Sequence, residues 1–339
     1  MTPDSDNARP TLKTIAAATG LAVATVSRAL KDAPDIGEET KRRVRAMADR
    51  LGYRPNRAGV RLRTGKTNVI ALILSAEADM MNHTARLLYA IANALRGTAY
   101  HMIVTPYFPD QDPMDPVRYI VESGSADGII LNQTRPDDPR VRYLAGRGFP
   151  FATHGRTEMG IDHPYFDFDN EAYARLAVAE LARRGRRRLL MIPPPRAQSY
   201  ARHMVTGFVE TAAEQGLACD LASEVTSDSA SEAIEAALFD RMSRADRPDG
   251  LITGSTVTTL ASISGAERAG LRIGQDFDVV GKEAIPFLHR FRPEILIVRE
   301  DVSRAGDFLA RALIATIDGR GQVPVAHGLE VPDRVEGGG

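Results

Sequence analysis

The chain of 339 residues has no tryptophan and a single cysteine, Cys219. One thiol excludes an internal disulfide and a cysteine-rich zinc site, and fits a reducing compartment. No apolar run approaches the roughly 18 residues that a membrane span needs. The first ten residues carry Asp4, Asp6 and Arg9 around no apolar stretch, so no export signal is expected and the chain reads as cytoplasmic. The histidines, His83, His101, His154, His163, His203, His289 and His327, lie far apart in the sequence and none pairs with another at metal-ligand spacing. A GxSxG elbow, a GxxxxGKS/T phosphate loop and a GxGxxG after a strand are all missing. The expectation is therefore no enzyme, no cofactor and no metal.

Hydrophobic residues at 43% and charged residues at 26% describe an ordinary globular chain, long enough for two or three domains. The overall charge of −1 hides an asymmetry. Residues 1–68 hold 14 Lys and Arg against 7 Asp and Glu, a surplus of +7, while the remainder holds 29 against 37, a deficit of −8. A basic end on an acidic body points to nucleic acid, because each cation that neutralises a phosphate releases condensed counterions.

The basic end divides into three short helical patterns. Thr11 is a candidate N-cap for a helix whose Leu12, Ile15, Ala16 and Thr19 share one face, and Gly20 supplies the turn that stops it. A second helix from Ala22 to Leu30 buries Val26 and Leu30, leaving Val23, Ala24, Thr25 and Arg28 to face outward. After Pro34 and Asp35 a third carries Val44, Met47, Ala48 and Leu51 at helical spacing and ends at Gly52. The first two form a helix-turn-helix whose second helix fits a DNA major groove. Val23 and Ala24 suit thymine methyls and Arg28 suits a guanine edge or a phosphate, while Lys31, Lys41, Arg42, Arg43 and Arg45 suit phosphates.

The run from Thr11 through Thr67, with ATVSRALK in the second helix and LGYRPNRAGVRLRTGKT after the third, resembles the DNA-binding head of the LacI/GalR family of metabolite-responsive repressors. The resemblance continues more loosely to about Val331. It implies DNA contacts from Thr11, Ala22, Val23, Ala24, Thr25, Ser27, Arg28, Lys31, Tyr53, Asn56, Arg57, Leu62 and Arg63, and a palindromic operator bound by a homodimer. The family usually has a capping residue where Ala22 stands and Ser where Gly37 stands, so both helix starts are expected to be weaker here. The head is placed at 1–56 and a hinge at 57–67, with Gly59 weakening its isolated helix. The resemblance implies that paired hinge helices enter the minor groove and that Leu62 wedges a base step.

From Asn68 onward, short apolar runs alternate with amphipathic ones. Strand candidates are 69–74, 101–105, 128–131, 150–154, 188–192, 250–253, 278–281 and 295–298, with helical windows between most of them. This alternation predicts parallel α/β sheets, and the resemblance implies a periplasmic-binding-protein-like core of two lobes. Lobe 1 is expected at about 68–169 and 299–325, and lobe 2 at about 170–298 and 326–339. A first-lobe helix around Ala85 to Leu95, bearing Leu87, Leu88, Ile91 and Leu95, is the candidate dimer face. The final EGGG carries no heptad tail, so no leucine-zipper tetramer is expected.

Ligands of open α/β sheets bind beyond the carboxyl ends of strands. The polar residues there are Ser75, Glu77, Asp79, Arg156, Asp169, Asn170, Arg202, His203, Ser255, Lys282 and Glu283, with Phe166, Phe168 and Tyr200 as candidates for stacking on a sugar ring. Family departures include Met204 in place of an arginine, Glu283 in place of an aspartate, and Ser255-Thr256 in place of an acidic pair. The expected effector is a carbohydrate such as a disaccharide or plant-type glycoside; a purine or other small metabolite is the alternative. A transport-type sugar-binding protein shares the two-lobed body but leaves the basic head unexplained.

Overall fold

The computed structural model describes residues 10–53, 65–75, 81–108, 110–285, 287–319 and 324–338. The chain divides into two compact units, Met1–Thr67 and Asn68–Gly339.

The amino-terminal unit contains α1 (Leu12–Thr19), α2 (Val23–Ala29) and α3 (Glu38–Arg50). Thr11 and Thr14 cap α1 reciprocally: the Thr14 N–H donates to Thr11 Oγ1 (3.3 Å) and the Thr11 N–H to Thr14 Oγ1 (3.1 Å). Gly20 ends α1 at φ 66°, a left-handed conformation that costs glycine nothing. Ala22 and Gly37 start α2 and α3 without any side-chain cap, as expected. Ile15, Ala16, Val26, Ala29, Val44 and Ala48 form one buried cluster, with Leu30 packed half-buried at its border.

The second unit is a pair of α/β lobes, each built on a six-stranded sheet. In chain order its elements are β1 (Val69–Ser75), α4 (Met81–Ala94), β2 (His101–Tyr107), α5 (Met114–Ser123), β3 (Gly128–Leu131), α6 (Pro139–Gly146), β4 (Phe151–His154), β5 (Tyr165–Phe168), α7 (Asn170–Arg183), β6 (Arg188–Ile192), α8 (Ser199–Glu214) and β7 (Ala218–Leu221). There follow α9 (Ser231–Met242), β8 (Gly250–Thr253), α10 (Thr256–Arg268), β9 (Asp278–Glu283), α11 (Leu288–Phe291), β10 (Leu296–Arg299), α12 (Val302–Gly319), β11 (His327–Glu330) and β12 (Glu336–Gly337).

The first sheet runs β11-β5-β4-β3-β1-β2 and is parallel throughout; the second runs β12-β10-β9-β8-β6-β7, with only β12 antiparallel. All seven residues of β1 are buried, as are all four of β3, β4 and β8, which is why these strands read as continuous apolar runs. All eight expected strands form. Four others do not announce themselves: β5, β7 and β11 are short and polar, and β12 has two residues.

The expected lobe boundary at 325/326 is corrected. β11 pairs parallel with β5, His327 opposite Tyr165, so the chain stays in the first lobe through Glu330 and crosses back only before β12. The expected dimer face is also corrected: Leu87, Ile91 and Leu95 are buried in the first lobe's core against α12, and Leu88 is half-buried beside them. There α4 and α12 pack so closely that a Cβ on Gly306 would sit 2.4 Å from the Ala90 methyl. The solvent side of α4 instead presents Tyr89, 67% exposed.

Candidate functional site

On the amino-terminal unit, Val23 is 40% exposed, and Ala24 and Arg28 are exposed at the start and end of α2, while Thr25, Ser27 and Tyr53 are half-buried. This outward row is the surface the sequence assigned to base edges. Arg28 ion-pairs with Asp35 and must exchange that carboxylate for any DNA contact. One phosphate assignment is corrected: Lys41 is buried, its Nζ 2.6 Å from Glu38 on the same helix. Arg43 is exposed and donates to the Thr19 carbonyl at the end of α1, which ties α3 to α1. Arg42 and Arg45 are exposed but paired with Glu39 and Asp32. Lys31 is exposed. Asn56, Arg57, Leu62 and Arg63 lie outside the described residues, as do Glu77 and Asp79 in the core.

In the second unit, a cleft opens at the carboxyl ends of strands from both sheets. That location follows from the parallel topology, because loops leaving adjacent strands in opposite directions leave a crevice between them. From the first lobe come His83 on α4, Asn132, Gln133 and Thr134 after β3, and His154 at the end of β4. From the second come Tyr200 on α8, Ser227 and Asp228 after β7, Ser255 after β8 and Lys282 on β9; Asn170 and Glu300 stand at the crossings.

The polar centre of the cleft is the Glu300 carboxylate, 6% exposed. One oxygen lies 2.9 Å from Lys282 Nζ and the other 3.1 Å from His83 Nε2. Burial pulls its pKa upward, but Lys282, His83 and His154 outweigh burial and hold it well below the usual carboxylate range. Lys282 also donates to Asn170 Oδ1 (3.1 Å), and its ammonium sits 5.0 Å from the Phe168 ring and 5.7 Å from the Tyr200 ring. His83 and His154 stack with centroids 5.2 Å apart, and His154 Nδ1 contacts Asn132 Oδ1 at 3.2 Å. Burial first, then the neighbouring His83, pushes His154 down to about 3, which keeps it neutral near pH 7.

The loop after β3 is braced from beneath. Arg140, 2% exposed, pairs with fully buried Asp138 at 2.7 Å and donates to the carbonyls of Asn132 (3.2 Å) and Gln133 (2.9 Å). Gln133 is held at φ 51°, an uncommon conformation for a non-glycine residue. The brace fixes which groups of residues 132–134 border the cleft.

The structure sorts the sequence candidates. Asn170, Tyr200, Ser255 and Lys282 border the cleft. The others are engaged elsewhere. Arg156 pairs with Asp167 (2.6 Å) and Arg202 with Glu158 (2.7 Å). Asp169 caps α7 through the Ala172 N–H, and Glu283 accepts the N–H groups of Phe287 and Leu288 that open α11. Phe166 and Phe168 are core residues, which leaves Tyr200 as the ring facing the cleft. Ser75 is buried at the end of β1, and His203 lies on α8 near Asp167. Ser255 has a second task as the N-cap of α10.

The reading of the histidines as too far apart is corrected too: His83, His154 and Glu300 bring one donor atom each to within 4.8 Å of one another. Two imidazoles and a carboxylate are a plausible donor set for a divalent transition metal. Both Glu300 oxygens already have partners, however, and one partner is an ammonium that would repel a dication. Sequence inspection missed Asn132, Gln133, Thr134 and Ser227 as well as this cluster. His154 ends the strand candidate 150–154 and Glu300 follows 295–298 by two residues, so inspecting the strand ends more closely would have found both.

Residues 11–56 match the model described as bacterial regulatory proteins, lacI family, and residues 178–337 match the periplasmic binding protein-like domain. The chain is 31% identical over 319 residues to the HTH-type transcriptional regulator AglR of Rhizobium meliloti (strain 1021), covering 92% of this chain and 89% of that relative. It is 36% identical over 208 residues to the HTH-type transcriptional regulator RafR of Escherichia coli, covering 61% and 62%. Among solved structures it resembles a transcriptional regulator CelR–cellobiose complex (TM-score 0.70, 23% identity, 98% and 100% covered). It also resembles the lac repressor dimer bound to operator and an anti-inducer (TM-score 0.84, 17% identity, 97% and 99% covered). The likeness to AglR, sustained along almost the whole of both chains, places the protein in the lacI family of helix-turn-helix transcriptional regulators.

Proposed function

We propose that this regulator is a repressor of carbohydrate-utilisation genes whose hold on DNA is set by a small sugar bound in the cleft of its core. The observation that carries the sugar reading is the cleft itself. It is lined by amides, hydroxyls, imidazoles and carboxylates with one accessible ring, the mixture that hydrogen-bonds several hydroxyls and faces one sugar surface. The cellobiose complex of a protein with this fold supports the same class.

In this reading the protein acts in the cytoplasm, where its DNA is, and by binding rather than catalysis. Two copies pair so that two α2 helices meet the half-sites of a palindromic operator, with Leu62 of the hinge wedging its centre. The sugar favours one arrangement of the lobes, which shifts the spacing of the heads and releases the operator. Operator selection from random duplex, followed by anisotropy titrations with and without a panel of neutral disaccharides, tests the proposal. A palindromic preference that one sugar weakens is expected. Absence of any preferred duplex, or a preferred duplex insensitive to every sugar but released by a nucleobase, would overturn it.

A further inference from the structure

We propose that the cleft admits an uncharged polyhydroxyl ligand and rejects anionic sugars such as uronic acids and sugar phosphates, and that the Lys282–Glu300 pair enforces this choice. The inference rests on the effector reading above and narrows its ligand class.

A site built for an anion needs an uncommitted cation. Lys282 is the only Lys or Arg bordering the cleft among the described residues, and its ammonium is 2.9 Å from Glu300 and 3.1 Å from Asn170. Two flanking rings, at 5.0 and 5.7 Å, hold the charge in place. Arg156 and Arg202, the guanidinium groups that the sequence offered as effector contacts, bind Asp167 and Glu158 instead. The remaining formal charge on the lining is a carboxylate, Asp228, whose Oδ1 accepts from Ser227 Oγ at 2.8 Å. Burial keeps His154 neutral near pH 7, so it offers an anion no cation there.

The one Lys or Arg among the described lining residues is therefore already engaged, and an anionic ligand would bury its own charge beside the Glu300 carboxylate without a cation to meet it. A neutral glycoside meets the opposite situation. It finds carboxylate and amide acceptors together with amide donors, including Asn132 Nδ2, which is buried beside the cleft and has no partner in the protein. Rejection by an unmet charge discriminates more sharply than shape between a sugar and its oxidised counterpart, which differ by a few atoms.

The test is calorimetric titration of the full chain with neutral disaccharides (cellobiose, maltose, lactose, melibiose) and with each one's C6-carboxylate counterpart. A neutral member that binds at least tenfold more tightly than its own carboxylate is expected. Equal or tighter binding of a carboxylate would overturn the inference and leave the effector reading standing. Silence from both series would end the effector reading and this inference with it.

Glu300→Gln uncovers the Lys282 ammonium and should move the preference at least tenfold toward the carboxylate. The folded variant with an unchanged ratio would refute the role given to the pair. Should that variant not fold, Glu300→Asp draws the carboxylate back from the ammonium and should move the ratio in the same direction; an unchanged ratio in the folded Glu300→Asp would refute the role given to the pair.

Discussion

His154 is enclosed beside a second imidazole, and burial pushes its pKa down from 6.5 to about 3. Unfolding releases the ring to take up a proton, so the core is expected to lose stability as pH falls below about 6.5. Glu300, held well below its ordinary 4.5, adds to the loss in the same direction only at lower pH. At about 1.4 kcal/mol per pH unit, His154 should cost the core about 3 kcal/mol between pH 6.5 and 4.5. Urea unfolding across that range checks the slope, and His154→Gln should flatten it. Arg140 makes a second prediction at this scale. Arg140→Met leaves the Asp138 carboxylate buried and unpaired, which should cost about 3–5 kcal/mol in unfolding free energy. It should also weaken sugar binding, because the Asn132 and Gln133 carbonyls lose their donor. Lys282, Tyr200 and Ser255 were visible from the sequence because each follows a strand or starts a helix there. The contact of His83 with Glu300 spans 217 residues, and no local pattern records it.

Helix starts show how far local chemistry reaches at the scale of elements. Gly37 opens α3 at φ −61° and ψ 146°, extended angles that any residue accepts, and a Cβ there would meet nothing within 4 Å. Gly37→Ser should therefore supply the missing cap and reduce the freedom of the unfolded chain. Together these should raise the stability of the amino-terminal unit by roughly 0.5–1 kcal/mol, read as a shift in its denaturant midpoint without loss of operator binding. The three helices and eight strands were legible because their apolar spacing matches their burial, as Leu12, Ile15, Ala16 and Thr19 do along α1. β5 and β11 were not, because each has only four residues, too short for a clear period, and each is held by pairing with a distant strand, β5 with β4 and β11 with β5.

At the scale of the whole molecule, β2 is an edge strand flanked by α4 and α5, and this region exposes Tyr89, Val104, Phe108 and Tyr119. With the leucines of α4 committed to the core, a dimer face in this region would have to use these residues. Tyr89→Glu with Tyr119→Glu should shift the protein toward monomer in sedimentation velocity and lower operator affinity at least tenfold. An unchanged dimer would move the interface elsewhere. The concentration of positive charge in residues 1–68 predicts a steep fall in operator affinity with salt, measurable as a linear slope of log affinity on log salt.

Composition and periodicity settled that a basic three-helix head precedes an acidic α/β body, and the alternation of strands and helices pointed to the strands' carboxyl ends as the place to look for a ligand. Those are local properties: charge is additive along the chain, and a helix or buried strand repeats its apolar residues at fixed spacing. Folding alone decided which polar groups face the cleft. Arg156, Arg202 and Glu283 were as polar as Lys282, but each found a closer partner within its own neighbourhood. The histidine pair and Glu300 came together because two sheets and the chain crossings between them bring distant strand ends to one place.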